Sequence, residues 1–560
     1  MLEIFFYSLL VLILFTPFGH FLIQYSEPNL YSFSKQLIFG SIFLCFLAIT
    51  INFFFPLNIY VNSIILVLSF VVLYKKKEIY FSKKFMIFLI LQSILITLLI
   101  AESHVYRPDA GLYHLPFIGI LNSEKIILGL SNLHFRYGHA SIMQYYSAIS
   151  NNLLLNNFGI VFAQAIIAVS IIINFSYLIL YYIKKKEYTF HFFFIFFVLI
   201  YIFYKMNRYG EYGNDAPAHF LVFFLISEII LSLNKNNNSS TVNNLILTLF
   251  IIQNKILLIP ILFFNIFGVI KINFKKILYE KNFYFLSALF LVWIINNTLI
   301  TGCALYPVKI TCFEILSWTD IKSVEKVSIE GEVWAKAWSN LDGEIQKKVK
   351  MNGFLNNFFW INIWGETHFK LIIKKLAPFL VFIFFVVILL NYKSKKNTLN
   401  NNYQQKKYHK YLILFSLLNI LVWFLKAPIY RYGYSSIISF IALFAAYVLY
   451  KKKLNTKLLA NVVIIILVLG YTTIFLKNTV RIIKSNNMYE NYPWPRYYSM
   501  ANNNKKNKYK INKLREKIIL TPINGYCMYT KQICTAYELN KNLDIKKMNT
   551  YNIFYLKDHK

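Results

Sequence analysis

The feature that most constrains this chain is a succession of apolar segments, each near the length that crosses a bilayer and almost free of charge. A helix needs about 17–25 mostly apolar residues to span the hydrocarbon core. Segments that meet or approach this lie near 4–24, 36–55, 58–74, 85–101, 158–183, 190–206, 217–234, 282–300, 371–391, 410–426, 435–450 and 458–477. A further stretch, 245–270, is too long for one simple pass and short for two. Pro260 interrupts it, and Asn254 and Lys255 lie inside it. It predicts a re-entrant or broken hairpin that returns to its starting side, because irregular backbone survives at membrane depth only beside a cavity. No basic stretch precedes the first segment, which is therefore expected not to be a cleaved signal peptide. With 57% hydrophobic and only 15% charged residues, the chain lacks the polar surface that several soluble domains would need. The same apolar content excludes disorder. The expected fold class is an all-α polytopic membrane protein of about 12–14 transmembrane helices.

The net charge of +35 would suggest nucleic acid in a soluble protein. Here much of it sits in short runs beside apolar segments, such as Lys75-Lys76-Lys77, Lys184-Lys185-Lys186 and Lys451-Lys452-Lys453. Such runs mark cytoplasmic loops and attract anionic lipid headgroups. Membrane lipids, and no nucleic acid, are the partners this charge implies. Placing 75–84 inside, the count of crossings puts 102–157, 207–216, 301–370, 427–434 and 478–560 outside. It puts 184–189, 235–244, 271–281, 392–409 and 451–457 inside, and that list is Lys-rich throughout. The tail 478–560 is also basic, but long tails translocate largely regardless of charge. The active face is thus expected to be extracytoplasmic, on a bacterial cytoplasmic membrane.

The cysteines point the same way. Cys303 and Cys312 share one predicted outside loop, Cys527 and Cys534 share the predicted outside tail, and Cys45 lies alone in a membrane helix. Two disulfides are expected, as an oxidising compartment allows.

Two outside loops gather acidic, aromatic and His residues together. The first runs Glu102-Ser-His-Val-Tyr-Arg-Pro-Asp109-Ala-Gly-Leu-Tyr113-His114-Leu-Pro116, directly after a membrane helix. The second runs Arg208-Tyr-Gly-Glu211-Tyr-Gly-Asn-Asp215-Ala-Pro-Ala-His219. Each Asp also fits the role of a helix cap. Their recurrence on one face of so charge-poor a chain favours function. Residues 141–155 predict a short amphipathic helix lying in the interface, with Gln144, Ser147 and Asn151 alternating with apolar residues.

Asp109-Ala-Gly-Leu-Tyr113-His114-Leu115-Pro116 resembles the D-x-x-x-Y-H-L-P signature in the first outside loop of bacterial GT-C superfamily membrane glycosyltransferases. These are similar to protein mannosyltransferases and aminoarabinose transferases. Gly302-Cys-Ala-Leu-Tyr306-Pro307 resembles a later outside loop of the same enzymes, and the resemblance spans roughly 85–434. It implies a polytopic enzyme that moves a sugar from a polyprenyl-phosphate carrier to an extracytoplasmic glycan or lipid acceptor. It also implies an essential carboxylate in the first loop and a second acidic residue in the next, which Glu211 or Asp215 matches. On this reading 1–84 holds three extra helices, 85–477 is the GT-C-like core, and 478–560 is a small extracytoplasmic region.

Transfer from a lipid phosphate needs a base for the acceptor hydroxyl and cations for the leaving phosphate. Asp109 is the candidate base. Asp215, Glu211 or His114 would orient the acceptor or hold a divalent metal, although their spacing is not a metal motif. Glu102 and Tyr113 join them as candidate substrate contacts. Lys255 costs about 2.5–3.5 kcal/mol in lipid, so it is expected to face a cavity or a partner. Arg431 sits in the turn Ala427-Pro-Ile-Tyr-Arg431-Tyr-Gly433 and, with Arg208, is a candidate for the carrier phosphate. An O-antigen-type polymerase would rely more on Arg-rich loops. A lipid or glycan transporter would show broken helices in repeated halves.

Overall fold

The structure is a computed structural model that describes all residues except 26–27, 103–107, 140, 206–211, 234–237, 272–273, 338–350, 393–394, 397–402, 486–492, 496–508, 524–525 and 558–560. Among the described residues, ten helices are long and apolar enough to cross a membrane, from Leu2–Phe21 to Thr456–Ser485. Three shorter apolar helices, Ile59–Lys75, Phe190–Lys205 and Ile256–Ile270, join them. The protein is therefore a polytopic α-helical membrane protein. The three N-terminal helices are not set apart from the rest. Leu30–Asn52 packs along Phe162–Lys185, and Leu2–Phe15 packs along Lys83–Ile100.

The stretch around 245–270 folds differently from its sequence reading. Its first limb is a regular helix, Asn238–Asn254, which begins inside the predicted loop 235–244. The polar residues that suggested a loop are satisfied within the bundle. Asn244 donates to Ser232 Oγ at 3.2 Å, and Asn265 donates to Thr248 Oγ1 at 2.7 Å. The break falls at Lys255, in extended conformation (φ −150°, ψ 101°), and not at Pro260. Pro260 sits within the 3₁₀ run Ile256–Asn265, and the return limb ends at Lys271. A Cβ on Gly268 would lie 2.8 Å from Thr241 Cγ2, so the second limb does come back to the starting end of the first.

The helix Ile142–Ile149 also departs from expectation. All eight of its residues are buried, so it lies inside protein and not on a lipid interface. Its polar atoms find protein partners in place of water: Tyr145 donates to Asn296 Oδ1 at 2.8 Å, and Ser41 donates to the Tyr146 hydroxyl at 2.8 Å.

The tail is not α-helical. After Thr456–Ser485, the antiparallel pair Tyr509–Leu514 and Lys517–Pro522 carries Ile533–Cys534 in parallel on its second strand. A separate hairpin joins Leu543–Met548 to Tyr551–Leu556. This β-module is seated on the first polar loop. Leu128 exchanges backbone bonds with the hairpin (Leu128 N to Asn552 O 3.0 Å, Phe554 N to Leu128 O 2.9 Å), and Met528 N donates to Gly111 O at 2.9 Å. The loop 102–157 and the tail thus share one end of the bundle. Lysines from two of the predicted inside loops pair with each other, Lys395 opposite Lys453 and Lys396 opposite Lys452.

Candidate active site

At the end of the bundle that carries the β-module, a cavity of about 330 Å³ opens between the polar loops. Four separate parts of the chain supply its charged wall. Asp109 precedes a π-helical turn, Ala110–His114, which runs into the helix Leu115–Ser123. Such π-turns recur at functional sites because they re-aim side chains. Asp215 is the first residue of the helix Asp215–Ser232, Lys255 is the extended residue between the two limbs, and Arg431 lies in the first turn of Tyr430–Leu449.

These four side chains form one network. Arg431 Nη1 lies 3.1 Å from Asp109 Oδ2, and its Nε lies 3.8 Å from Asp215 Oδ2. Lys255 closes the group through an ion pair with Asp215 Oδ1, and its ammonium stands 3.6 Å from the centre of the Tyr432 ring. The Tyr432 hydroxyl accepts a 3.0 Å bond from Arg431 Nη2. Behind them, His219 fixes the backbone, with Nε2 2.8 Å from Arg431 O and Nδ1 2.6 Å from Ser435 Oγ. Asp109 stands at an N-cap position without a side-chain cap bond, and the N-cap residue of Asp215–Ser232 is Asn214. Both carboxylates face cations.

His114 lines the same cavity. Ser141 N donates to Gln144 Oε1 at 2.9 Å, which turns the Gln144 amide NH₂ toward His114 Nδ1 at 3.0 Å. Nδ1 therefore accepts and Nε2 carries the proton, a neutral donor tautomer. Burial holds this imidazole down at about 4, against the pull of Asp109 and Asp215. The neighbouring His139 is held at about 3 by burial and then by Arg136. Tyr113, its ring 4.3 Å from His114, is pushed well above its ordinary range by burial and by Asp109.

The arginine that sequence reading passed over is Arg136. Its guanidinium lies over the rings of Phe135 (5.0 Å), Tyr113 (5.6 Å) and Trp334 (5.9 Å), and it forms no ion pair among the described residues. Glu332, also on the wall, is matched by Lys336 at 2.6 Å and Lys426 at 3.4 Å. Among the described lining residues, the cations Arg136, Lys255, Lys426 and Arg431 outnumber the carboxylates Asp109, Asp215 and Glu332. A low-dielectric cleft with that excess favours an anion.

Six of the sequence candidates, Asp109, Tyr113, His114, Asp215, Lys255 and Arg431, thus line one cavity. Glu102 does not line it: it is fully buried, with its backbone N–H donating to Pro493 O at 3.0 Å. Arg208 and Glu211 lie outside the described residues. Cys303 is disulfide-bonded to Cys312, and Cys527 to Cys534. The first pair closes the loop that brings Tyr306 to the cavity, where its ring meets His139 at 5.0 Å. Among the described residues no group of three or more His, Cys, Asp or Glu is arranged to hold a metal, and Asp109 and Asp215 face cations. These residues do not fit a divalent ion.

No curated protein and no solved structure matches the chain. One family model, described as a domain of unknown function (DUF8201), matches residues 1–438. That span includes every residue of the charged network and stops short of the β-module. Since it is well over half of the 560 residues, the chain belongs to the DUF8201 family.

Proposed function

We propose that the protein is a GT-C-like membrane glycosyltransferase that moves a sugar from a polyprenyl-phosphate carrier to an acceptor at the extracytoplasmic face. One observation carries this reading. Two carboxylates from loops far apart in sequence meet across a single guanidinium, at the edge of a cavity with an excess of cations. Such a cavity offers a base beside a site for an anionic leaving group, which is what transfer from a lipid phosphate requires.

Asp109 is the base. Its side chain is 30% exposed, against 16% for Asp215, so it is the carboxylate within reach of an incoming hydroxyl. The acceptor oxygen forms a bond to the anomeric carbon, and its proton passes to Asp109. The bond from that carbon to the carrier phosphate breaks, and its electron pair leaves on the phosphate oxygen. Asp215 and Lys255 hold Arg431 and are positioning residues. Arg431 is already shared between two carboxylates, so the phosphate role expected of it passes to Arg136, whose charge is unmatched among the described residues. His114 offers a neutral Nε2–H to a sugar or phosphate oxygen.

Incubating the purified protein with radiolabelled polyprenyl-phosphate sugars and a membrane glycan fraction tests the reading. Loss of label from the carrier with gain in the glycan is the expected result. Carrier that stays labelled across a full panel of donors would overturn it.

A further inference from the structure

A second cavity, of about 340 Å³, is lined by Gly119, Asn122 and Ser123 of the helix Leu115–Ser123. Its floor is a network of amides and a phenol. Asn122 donates to Leu57 O (2.6 Å) and Ala148 O (3.0 Å), and its Oδ1 accepts from the Tyr529 hydroxyl at 3.1 Å. Asn151 Nδ2 donates to the same hydroxyl at 3.2 Å. Asn151 Oδ1 has no partner among the described residues, and the residue is 94% buried. Asn58, Asn156 and Lys531 line the same space. Its walls come from the third N-terminal helix, the first polar loop and the β-module. The module closes down tightly here: a Cβ on Gly119 would stand 2.0 Å from Thr530 O, so only glycine fits.

We propose that this cavity binds carbohydrate and holds the distal part of the glycan whose end is glycosylated at Asp109. That this glycan is the acceptor of the transfer rests on the glycosyltransferase reading; the carbohydrate site does not. Amide side chains present a donor and an acceptor side by side, and sugar hydroxyls do the same, so the two pair without leftover groups. A buried oxygen lacking a donor is costly and is relieved by a ligand hydroxyl. Among the described residues the lining includes one cation, Lys531, and no carboxylate, which suits neutral or acidic sugars. The volume falls within the range of small-ligand sites, about 300–1,000 Å³. Tyr113 of the first cavity and Asn122 of the second lie nine residues apart along one helical run, on the order of 14 Å at the α-helical rise.

The test uses the full chain in lipid nanodiscs, without carrier lipid, on an array of printed bacterial-surface oligosaccharides. Wild type is expected to retain at least one glycan. Asn156→Gly removes a lining amide at a residue whose φ of +48° glycine adopts freely, and Lys531→Ala removes the cation. Both side chains are exposed, so the fold survives, and each change should weaken retention about five- to tenfold. An array with no retained glycan, or equal retention by both variants, overturns the site. If glycans bind as expected but no donor is ever consumed, the carbohydrate site stands and the transferase reading falls.

Discussion

Two buried ion-pair clusters lie at opposite ends of the membrane-crossing helix Asp215–Ser232, and they serve different ends. Near one end, Lys35 pairs with Glu228, and the Tyr31 hydroxyl caps the other carboxylate oxygen at 3.2 Å. Side-chain exposure there is only 12% and 7%, and neither residue lines a described cavity. At the other end, the network of Asp109, Asp215, Lys255 and Arg431 fronts open space, with exposures reaching 30% for Asp109. The first cluster is a closed knot, neutral and capped. The second is neutral within itself but sits beside Arg136, which leaves cations in excess among the described lining residues. Buried charge thus takes two forms in this bundle, one closed on itself and one opening onto a cavity.

Mutation can break that contrast or sharpen it. The largest effect is expected for Asp109→Asn, which keeps shape and hydrogen bonding but cannot take a proton. Turnover of carrier-linked sugar should fall about 10²–10⁴-fold, with thermal stability in detergent unchanged. A near-normal rate would move the base to Asp215. Glu228→Gln should give the reverse pattern. It strands the buried Lys35 ammonium, at a cost of about 3–5 kcal/mol, so the detergent melting temperature drops while kcat of the surviving protein holds. A slowed rate in undamaged protein would merge the two clusters into one functional system.

A smaller change is expected for Arg136→Ala. It removes one charge-assisted contact, so KM for the carrier should rise about tenfold, with kcat little altered. An unchanged KM would return the phosphate role to Arg431. The smallest effect concerns pH. A lowered His114 pKa means the ring gains its proton only as pH falls through about 4. Titration of His114 should therefore add no step to the pH–rate profile between pH 5 and 8, a range that the ordinary value near 6.5 would divide. A step near 6.5 that disappears in His114→Gln would show an imidazole in contact with solvent.

Much of the membrane architecture was legible because apolar length is a strong, local signal. The predicted segments 85–101 and 282–300 fall within two residues of the helices Lys83–Ile100 and Lys281–Thr301. The pairing of two acidic loops was readable too, from the scarcity of carboxylates. What escaped reading depended on partners distant in sequence. The first turns of Asn238–Asn254 look like part of a polar loop until Ser232 accepts from Asn244. Ile142–Ile149 looks interfacial until Asn296 and Ser41 reach its tyrosines. Arg136 carries no local motif, and its meaning comes from Trp334, nearly two hundred residues away. The tail's Lys-rich alternation hides strands whose burial is supplied by the loop beneath them.

The docking of the β-module on the first polar loop also sets the order in which the molecule is finished. Gly111, Leu128 and Tyr137 bond to Met528, to Asn552 and Phe554, and to Cys534, the last pair 397 residues apart. At about 5–20 residues per second, that interval of synthesis lasts roughly 20–80 s. Throughout it, the loop bearing Asp109 has emerged while its roof has not. The loop therefore lacks these partners until the β-module has followed, and a chain terminated upstream of the module never gains them.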